Sequence, residues 1–112
     1  MFGLKQQHIE AINTCFTKLT QIEQVILYGS RAMGNYRTGS DIDLTIVGEL
    51  DSRDFTELEI QLDDLMLPYK IDLSILIQID NPELKDHIHR NGKVFYQKVD
   101  QFVLREPKGR SN

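Results

Sequence analysis

The sequence predicts one α/β domain, in which a small mixed β-sheet is flanked by helices in the order α-β-α-β-α-β-α. Short apolar runs typical of buried strands alternate with stretches in which apolar residues recur every three or four positions. The 112 residues are enough for a single hydrophobic core. We therefore assign the domain to residues 1–104, and we expect the polar residues 105–112 to form a disordered tail.

Four helices are predicted from apolar periodicity and capping residues. The first covers residues 4–20, a short second helix begins at Ser30, and the third covers residues 52–66. The fourth begins at Asn81-Pro82, because proline fits the first turn of a helix. It ends at Asn91-Gly92, since glycine often terminates a helix.

Three strands are predicted from apolar runs in which β-branched residues are frequent. They cover residues 25–28, 43–47 and 70–77, and a further short edge strand is expected at 94–96. The third strand carries Asp72 opposite its apolar face. A carboxylate within an apolar strand is costly if it is buried without a partner, so Asp72 is a candidate functional residue.

Glycine and carboxylates lie at the ends of the first two strands. The first strand stops at Gly29, which Ser30 follows, and Asp41 and Asp43 stand at the start of the second. Successive side chains of a strand point to opposite faces, so the two carboxylates project the same way. They repel each other unless a cation lies between them. This pattern predicts a metal-dependent nucleotide site in which the glycine turn holds phosphates.

The positions of these residues also predict the strand directions. Gly29 follows the C-terminal end of the first strand, whereas Asp43 and Asp72 lie near the N-terminal ends of the other two. The residues can share one site only if the first strand runs opposite to the second and third. These two would then be parallel, with the 52–66 helix as a right-handed crossover.

Two-metal phosphoryl transfer is the chemistry that this set of residues supports. In such a site, paired ions clamp the attacking and leaving oxygens of an in-line displacement. Asp41 and Asp43 would hold both ions, and Asp72 would hold the ion that activates the acceptor hydroxyl. The β- and γ-phosphates of a nucleoside triphosphate would bind to Gly29 and Ser30.

Charge on the leaving pyrophosphate requires a cationic side chain nearby. Arg31 and Arg37 both follow the glycine turn, and either is able to neutralise this charge. Gly29 itself leaves room for close approach of a phosphate, because any side chain would compete for that space.

The motifs in residues 29–34, 40–44 and 71–73 resemble those of the polymerase-beta-type nucleotidyltransferase superfamily. The short chain is similar to the minimal nucleotidyltransferase branch. The resemblance implies that the Gly-Ser pair binds triphosphate, and that three aspartates bind two Mg²⁺ ions and transfer a nucleoside monophosphate, here AMP from ATP, to a hydroxyl. One departure is Met33, where relatives often carry arginine.

The resemblance also implies a partner, because larger relatives hold the acceptor with an additional domain that this chain lacks. Minimal nucleotidyltransferases are commonly paired with a separate helical protein of the HEPN type (named for higher eukaryotes and prokaryotes). Such pairs resemble toxin–antitoxin modules, in which the transferase adds AMP to a tyrosine of the HEPN ribonuclease. A homodimer can also form part of the acceptor cleft.

Two other functions remain open at this point. The domain can be a nucleotide-binding module that neutralises its partner by occlusion, or a transferase for small hydroxylated compounds such as aminoglycosides. The net charge of −4 argues against general nucleic-acid binding. The single cysteine, Cys15, excludes an internal disulfide. No signal-peptide pattern or membrane-length apolar run is present, so we expect a soluble cytoplasmic protein.

Overall fold

The computed structural model of the protein describes residues 1–99. The predicted tail at 105–112 and the end of the domain assigned to 1–104 lie outside the described residues. The described elements follow one another as α1 (Gln6–Thr17), β1 (Ile22–Tyr28), α2 (Ser30–Met33), β2 (Ile42–Gly48), α3 (Ser52–Asp63), β3 (Ile71–Ile75), a 3₁₀ helix (Leu76–Gln78), α4 (Pro82–Asn91) and β4 (Lys93–Gln97).

The four strands form one mixed sheet in the spatial order β3-β2-β1-β4. β1 is antiparallel to both β2 and β4, and β2 is parallel to β3. The predicted fold class and the predicted strand directions are therefore confirmed. The short edge strand expected at 94–96 is also present as β4.

One face of the sheet contains the hydrophobic core. Each strand places alternate apolar residues on this face, so that Leu27 pairs with Leu44 and Leu44 with Leu73. Helices α1 and α3 cover this face with their apolar stripes. The fully buried side chains at this interface include Ile12, Phe16, Val25, Leu27, Ile42, Leu44 and Ile46.

The opposite face of the sheet carries polar residues in its centre and is partly covered by α4. This helix packs against β1, and its terminal Gly92 lies so close to Ile26 that a side chain at position 92 would collide with it. The sheet therefore has one apolar face for stability and one face that is open for polar groups.

Side-chain caps set the starts of α3 and α4 as the sequence predicts. Asp51 precedes α3, and its carboxylate accepts the N–H of Asp54 at 2.8 Å. Asn81 precedes α4, and its side-chain oxygen accepts the N–H groups of Glu83 and Leu84 at 2.9 and 3.2 Å. Both helices consequently begin within one residue of the predicted positions.

Several predicted boundaries were wrong, and strand pairing explains two of them. β1 begins at Ile22 rather than at residue 25, because pairing with β2 extends through the exposed polar residues that precede the apolar run. β3 stops at Ile75, its last partner in β2 being Ile46, and the chain then turns into the 3₁₀ helix. Ile77, which was predicted to be within the strand, is 72% exposed.

The predicted first and third helices were too long. α1 covers Gln6–Thr17 rather than 4–20, and α3 ends at Asp63 rather than at 66. Met66 adopts a positive φ of 56°, which a helix cannot contain. Within residues 1–99, the structure contains no helix with the length and apolar character needed to cross a bilayer.

The environment of Cys15 predicts an unreactive thiol. Cys15 lies on the buried face of α1 with 5% of its surface exposed, and burial raises its pKa. The native protein should therefore react slowly with a thiol reagent such as 5,5′-dithiobis-(2-nitrobenzoate) at neutral pH, and urea should release one reactive thiol per chain. Rapid labelling of the native protein would contradict the packing of α1.

Candidate active site

Three side chains lie in a row across the polar face of the sheet. Tyr28 of β1 is paired with Asp43 of β2, and Asp43 is paired with Asp72 of β3. Directly paired residues on neighbouring strands project to the same face. Asp72 is therefore on the same side of the sheet as Asp43, which is the placement that a shared site requires.

The electrostatic centre of this row is Asp43. Burial raises the pKa of its carboxyl above the usual range, and the negative charges of Asp72 and then Asp41 raise it further, while His87 acts in the opposite direction. Asp41 lies one residue before β2 and is exposed, as is Asp72. The charges of two exposed carboxylates therefore raise the pKa of a third that is half-buried.

The three carboxylates form an electrostatic cluster but not a compact ligand shell. Within residues 1–99, no three His, Cys, Asp or Glu side chains approach closely enough to hold a metal ion as they stand. Repulsion between like charges opposes such an approach until a cation neutralises them. The oxygen-only donors and the uncompensated charge on Asp43 fit a hard divalent ion such as Mg²⁺.

The turn at Gly29 lies directly against this cluster. Gly29 has a φ of 78°, a conformation that disfavours residues with side chains. A Cβ atom at this position would overlap the Asp43 carboxylate. The backbone carbonyl accepts the N–H groups of Ala32 and Met33, both at 3.2 Å, so the turn continues directly into α2. Glycine at position 29 is therefore what allows the turn and the carboxylate to be adjacent.

Arg31 is buried, with only 3% of its surface exposed. Its Nε and Nη2 atoms donate to the Ser40 carbonyl at 3.1 and 2.9 Å, and Nη1 donates to the Phe2 carbonyl at 3.0 Å. The guanidinium also lies over the rings of Tyr36 and Tyr69, 5.2 and 5.0 Å from their centroids. These contacts hold the backbone immediately before Asp41.

This placement favours a positioning role for Arg31 over the predicted contact with pyrophosphate. Its guanidinium is already bound to two backbone carbonyls and two aromatic rings. Arg37, the alternative cation, has an exposed side chain in the loop between α2 and β2. Its backbone N–H donates to the Ser40 hydroxyl at 2.8 Å, so the loop is folded around Ser40.

A hydroxyl pair lies next to the row of Asp43 and Asp72. Thr45 is fully buried, and the Ser74 hydroxyl donates to its hydroxyl oxygen at 2.9 Å. The two residues are also paired in the register of β2 and β3. This bond satisfies buried polar atoms and strengthens the register that brings the two aspartates together.

Sequence reasoning missed His87. Its Nε2 atom accepts the Gly29 N–H at 3.0 Å, although the two residues are far apart in the chain. The signal was present, because Leu84, His87, Ile88 and Asn91 have the spacing of one helix face. No role at the site was predicted for the polar members of that face.

Tyr28 is part of the same surroundings. Burial raises the pKa of its phenol, the nearby Ser74 hydroxyl lowers it, and the charges of Asp43 and Asp72 raise it. The ring packs edge-on against His87, with 6.2 Å between centroids. Tyr28 therefore keeps its proton at neutral pH and forms the inner wall of the site.

The fold and the site identify the family. The sequence model of the family described as polymerase beta, nucleotidyltransferase matches residues 10–101. Since this match covers most of the chain, the protein belongs to the polymerase beta nucleotidyltransferase family and is an enzyme of the nucleotidyltransferase class. The family predicted from the motifs is confirmed.

A protein of Methanocaldococcus jannaschii, provisionally described as a protein adenylyltransferase, is 32% identical over 83 residues. The alignment covers 68% of this chain and 80% of that relative. It is consistent with the family assignment.

Two similar solved structures come from toxin–antitoxin complexes. A chain in the crystal structure of a toxin–antitoxin with AMP-PNP aligns with a TM-score of 0.63 at 22% identity, covering 96% of this chain and 86% of that chain. Another belongs to a tri-AMPylated HEPN toxin from Shewanella oneidensis in complex with MNT antitoxin. It aligns with a TM-score of 0.61 at 20% identity, covering 96% and 85% of the two chains. At these identities the likeness shows the fold.

Replacing Asp43 with asparagine should stabilise the metal-free protein at neutral pH. The amide removes the repulsion from Asp41 and Asp72, and the midpoint of thermal unfolding should rise by a few degrees, because solvent screening limits the gain to about 0.5–1 kcal/mol. The difference should shrink as the pH falls through the raised pKa of Asp43, because the wild-type carboxyl is then neutral too. An exposed control, Asp63→Asn, should leave the midpoint unchanged; a lower midpoint for Asp43→Asn would show that the cluster is not repulsive.

Replacing Arg31 with methionine should destabilise the fold by about 1–3 kcal/mol, because the Ser40 and Phe2 carbonyls lose their donors. The control Arg37→Met should stay within about 0.5 kcal/mol of the wild type, since its side chain is exposed. Urea unfolding measures both. If Arg31→Met unfolds like the wild type but binds nucleotide more weakly, the guanidinium contacts the ligand instead.

Proposed function

We propose that this enzyme transfers AMP from ATP to a hydroxyl of a separate HEPN-type protein, in a reaction that requires Mg²⁺, and that it is the antitoxin of a toxin–antitoxin pair. The observation that carries this proposal is the pairing of Asp43 with Asp72 next to the Gly29 turn. It supports a single site in which a triphosphate, divalent cations and an acceptor hydroxyl meet.

The order of the strands places the proposed triphosphate and acceptor positions on opposite sides of the site. Gly29 follows β1 in the interior of the sheet, Asp43 is on β2, and Asp72 is on β3 at the edge. We assign triphosphate binding to the turn at Gly29 and Ser30. The acceptor would approach from the side of Asp72, which is exposed on an edge strand and accessible to a side chain of another protein.

Asp41, Asp43 and Asp72 would hold the metal ions. Bound Mg²⁺ supplies positive charge that stabilises the attacking and leaving oxygens and lowers the pKa of an acceptor hydroxyl. The raised pKa of Asp43 supports this assignment, because a cation would relieve the repulsion that causes part of the shift. Ser40, held by Arg31, fixes the backbone from which Asp41 projects.

The chemical step is a displacement at the α-phosphorus. The acceptor oxygen forms a bond to this phosphorus while the bond to the bridging oxygen of the β-phosphate breaks, and pyrophosphate leaves. Asp72 would take the proton of the acceptor hydroxyl. Tyr28 and Asp43 separate this side of the site from the turn that holds the leaving phosphates.

The identity of the acceptor is supported by the related proteins. The relative from Methanocaldococcus jannaschii is described as acting on protein, and one similar structure contains a tri-AMPylated HEPN toxin together with MNT antitoxin. Residues 1–99 form one sheet with its helices and offer no second domain to hold an acceptor. In this proposal a separate protein supplies the surface that holds the acceptor. The homodimer and the cytoplasmic location remain predictions.

Incubation with Mg²⁺, labelled ATP and the HEPN-type partner should transfer label to the partner. The double variant Asp41→Asn, Asp43→Asn should lower the rate of transfer by more than about a hundredfold. Loss of a residue that only hydrogen-bonds to a metal ligand can already cost about a hundredfold, and this variant removes two of the proposed ligands themselves. Chelation of Mg²⁺ should have the same effect.

The matched control is Asp63→Asn, Asp64→Asn, which removes the same charge from an exposed position near the end of α3. It should transfer label at the wild-type rate. Undiminished transfer by the active-site double variant would refute the proposed site. If that variant loses transfer but still protects cells from the partner, the domain acts by occlusion.

A further inference from the structure

We propose that His87 is a positioning residue that holds the Gly29 peptide in place at the nucleotide site. The proposal rests on the proposed function, because it concerns the turn to which we assign the triphosphate. His87 lies on α4, which contributes none of the residues assigned above to metal or phosphate binding.

The contact between His87 and the turn is specific. The Gly29 N–H donates to Nε2 of His87 at 3.0 Å. The imidazole is half-buried, and its ring packs edge-on against Tyr28 at an interplanar angle of 76°. A side chain of α4 thus accepts a hydrogen bond from the backbone just after β1 and packs edge-on against Tyr28, the last residue of that strand.

The hydrogen bonds of the ring determine its tautomer. A nitrogen that accepts a hydrogen bond carries no hydrogen, so the neutral ring has its hydrogen on Nδ1. The side-chain Nδ2 atom of Asn91 lies 3.2 Å from Nδ1, and Asn91 is one helical turn further along α4. Nδ1–H and the Asn91 amide N–H are both donors in this tautomer, so a bond between them requires a half-turn of the amide that brings its oxygen to Nδ1. The bond from the Gly29 N–H therefore fixes the direction of Nε2, and Asn91 lies against the other ring nitrogen.

The hydrogen bond between His87 and the Gly29 N–H, here called the clamp, matters because Gly29 has no side chain to fix its conformation. At its φ of 78°, Gly29 is held on its carbonyl side by the N–H groups of Ala32 and Met33. Its Cα lies against the Asp43 carboxylate, so a rotation of the Gly29 peptide changes the distance between the turn and the cluster. His87 restrains the N–H side of Gly29 from outside the turn.

The clamp also determines which hydrogen-bond donors of the turn remain available to a ligand. The Gly29 N–H is bound to His87, whereas the sequence predicted that it would bind phosphate. The Ser30 hydroxyl and backbone N–H then remain for the triphosphate, and His87 acts on the ligand only through the geometry of the turn. This role differs from that of a phosphate ligand or a catalytic base.

Two variants of His87 distinguish the effect of its hydrogen bond from the effect of its ring. Glutamine places an oxygen acceptor at a reach similar to that of Nε2, whereas phenylalanine keeps the ring and has no acceptor. Calorimetric titration with a non-hydrolysable ATP analogue and Mg²⁺ should show about tenfold weaker binding for His87→Phe, the loss expected for one misplaced hydrogen-bonded group. His87→Gln should stay within about twofold of the wild type.

The matched control is His89→Ala, which removes an exposed histidine from the same helix and should bind as the wild type does. In the transfer assay, His87→Phe should raise the KM for ATP more than it lowers kcat. Wild-type affinity for His87→Phe, or equal weakening of the Phe and Gln variants, would overturn the positioning role.

A measurement on the free protein keeps this test independent of the proposed function. The amide NMR signal of Gly29 should shift in His87→Phe and remain near its wild-type position in His87→Gln. If the wild type binds no nucleotide but this response is present, the proposed function fails and the clamp stands. If the Gly29 signal is the same in all three proteins, the clamp itself is refuted.

Discussion

The half-buried negative charge of Asp43 is the constraint on which the site depends. Burial and two neighbouring carboxylates all act against its ionised form, and the fold holds it there through the pairing of β2 with β3. Such an arrangement opposes stability unless a cation joins it. The packing of the sheet therefore offsets the cost of holding these carboxylates close together.

The domain remains stable with these carboxylates close together because the two faces of the sheet differ. The apolar face, covered by α1 and α3, provides the buried surface that stabilises the domain. The polar face contains the row of Tyr28, Asp43 and Asp72 and is only partly covered by α4. Thr45 and Ser74 bind each other beside the row, so the register of the two aspartates is held by a side-chain bond as well as by the strands.

Sequence reasoning predicted the elements that follow from local patterns. The directions of β1, β2 and β3 could be inferred because Gly29, Asp43 and Asp72 had to converge, and the register confirms this. The end of β3 could not be inferred, since Ile77 continues the apolar alternation and only the loss of pairing with β2 stops the strand.

Long-range contacts account for what the sequence did not predict. Arg31 was considered a phosphate ligand because it follows the glycine turn, yet its burial depends on Phe2, Tyr36 and Tyr69, which come from three separate segments. The contact between His87 and Gly29 depends on how α4 lies across the end of β1. Helical spacing places His87 on the inner face, but no local pattern shows that Gly29 is its partner.

The most direct test of the account is a crystal structure of the protein with Mn²⁺ and a non-hydrolysable ATP analogue, in which anomalous scattering locates the metal. We expect the metal between the carboxylates of Asp41, Asp43 and Asp72, with the triphosphate against Gly29 and Ser30. Metal or triphosphate bound elsewhere, with these three carboxylates still apart, would contradict it.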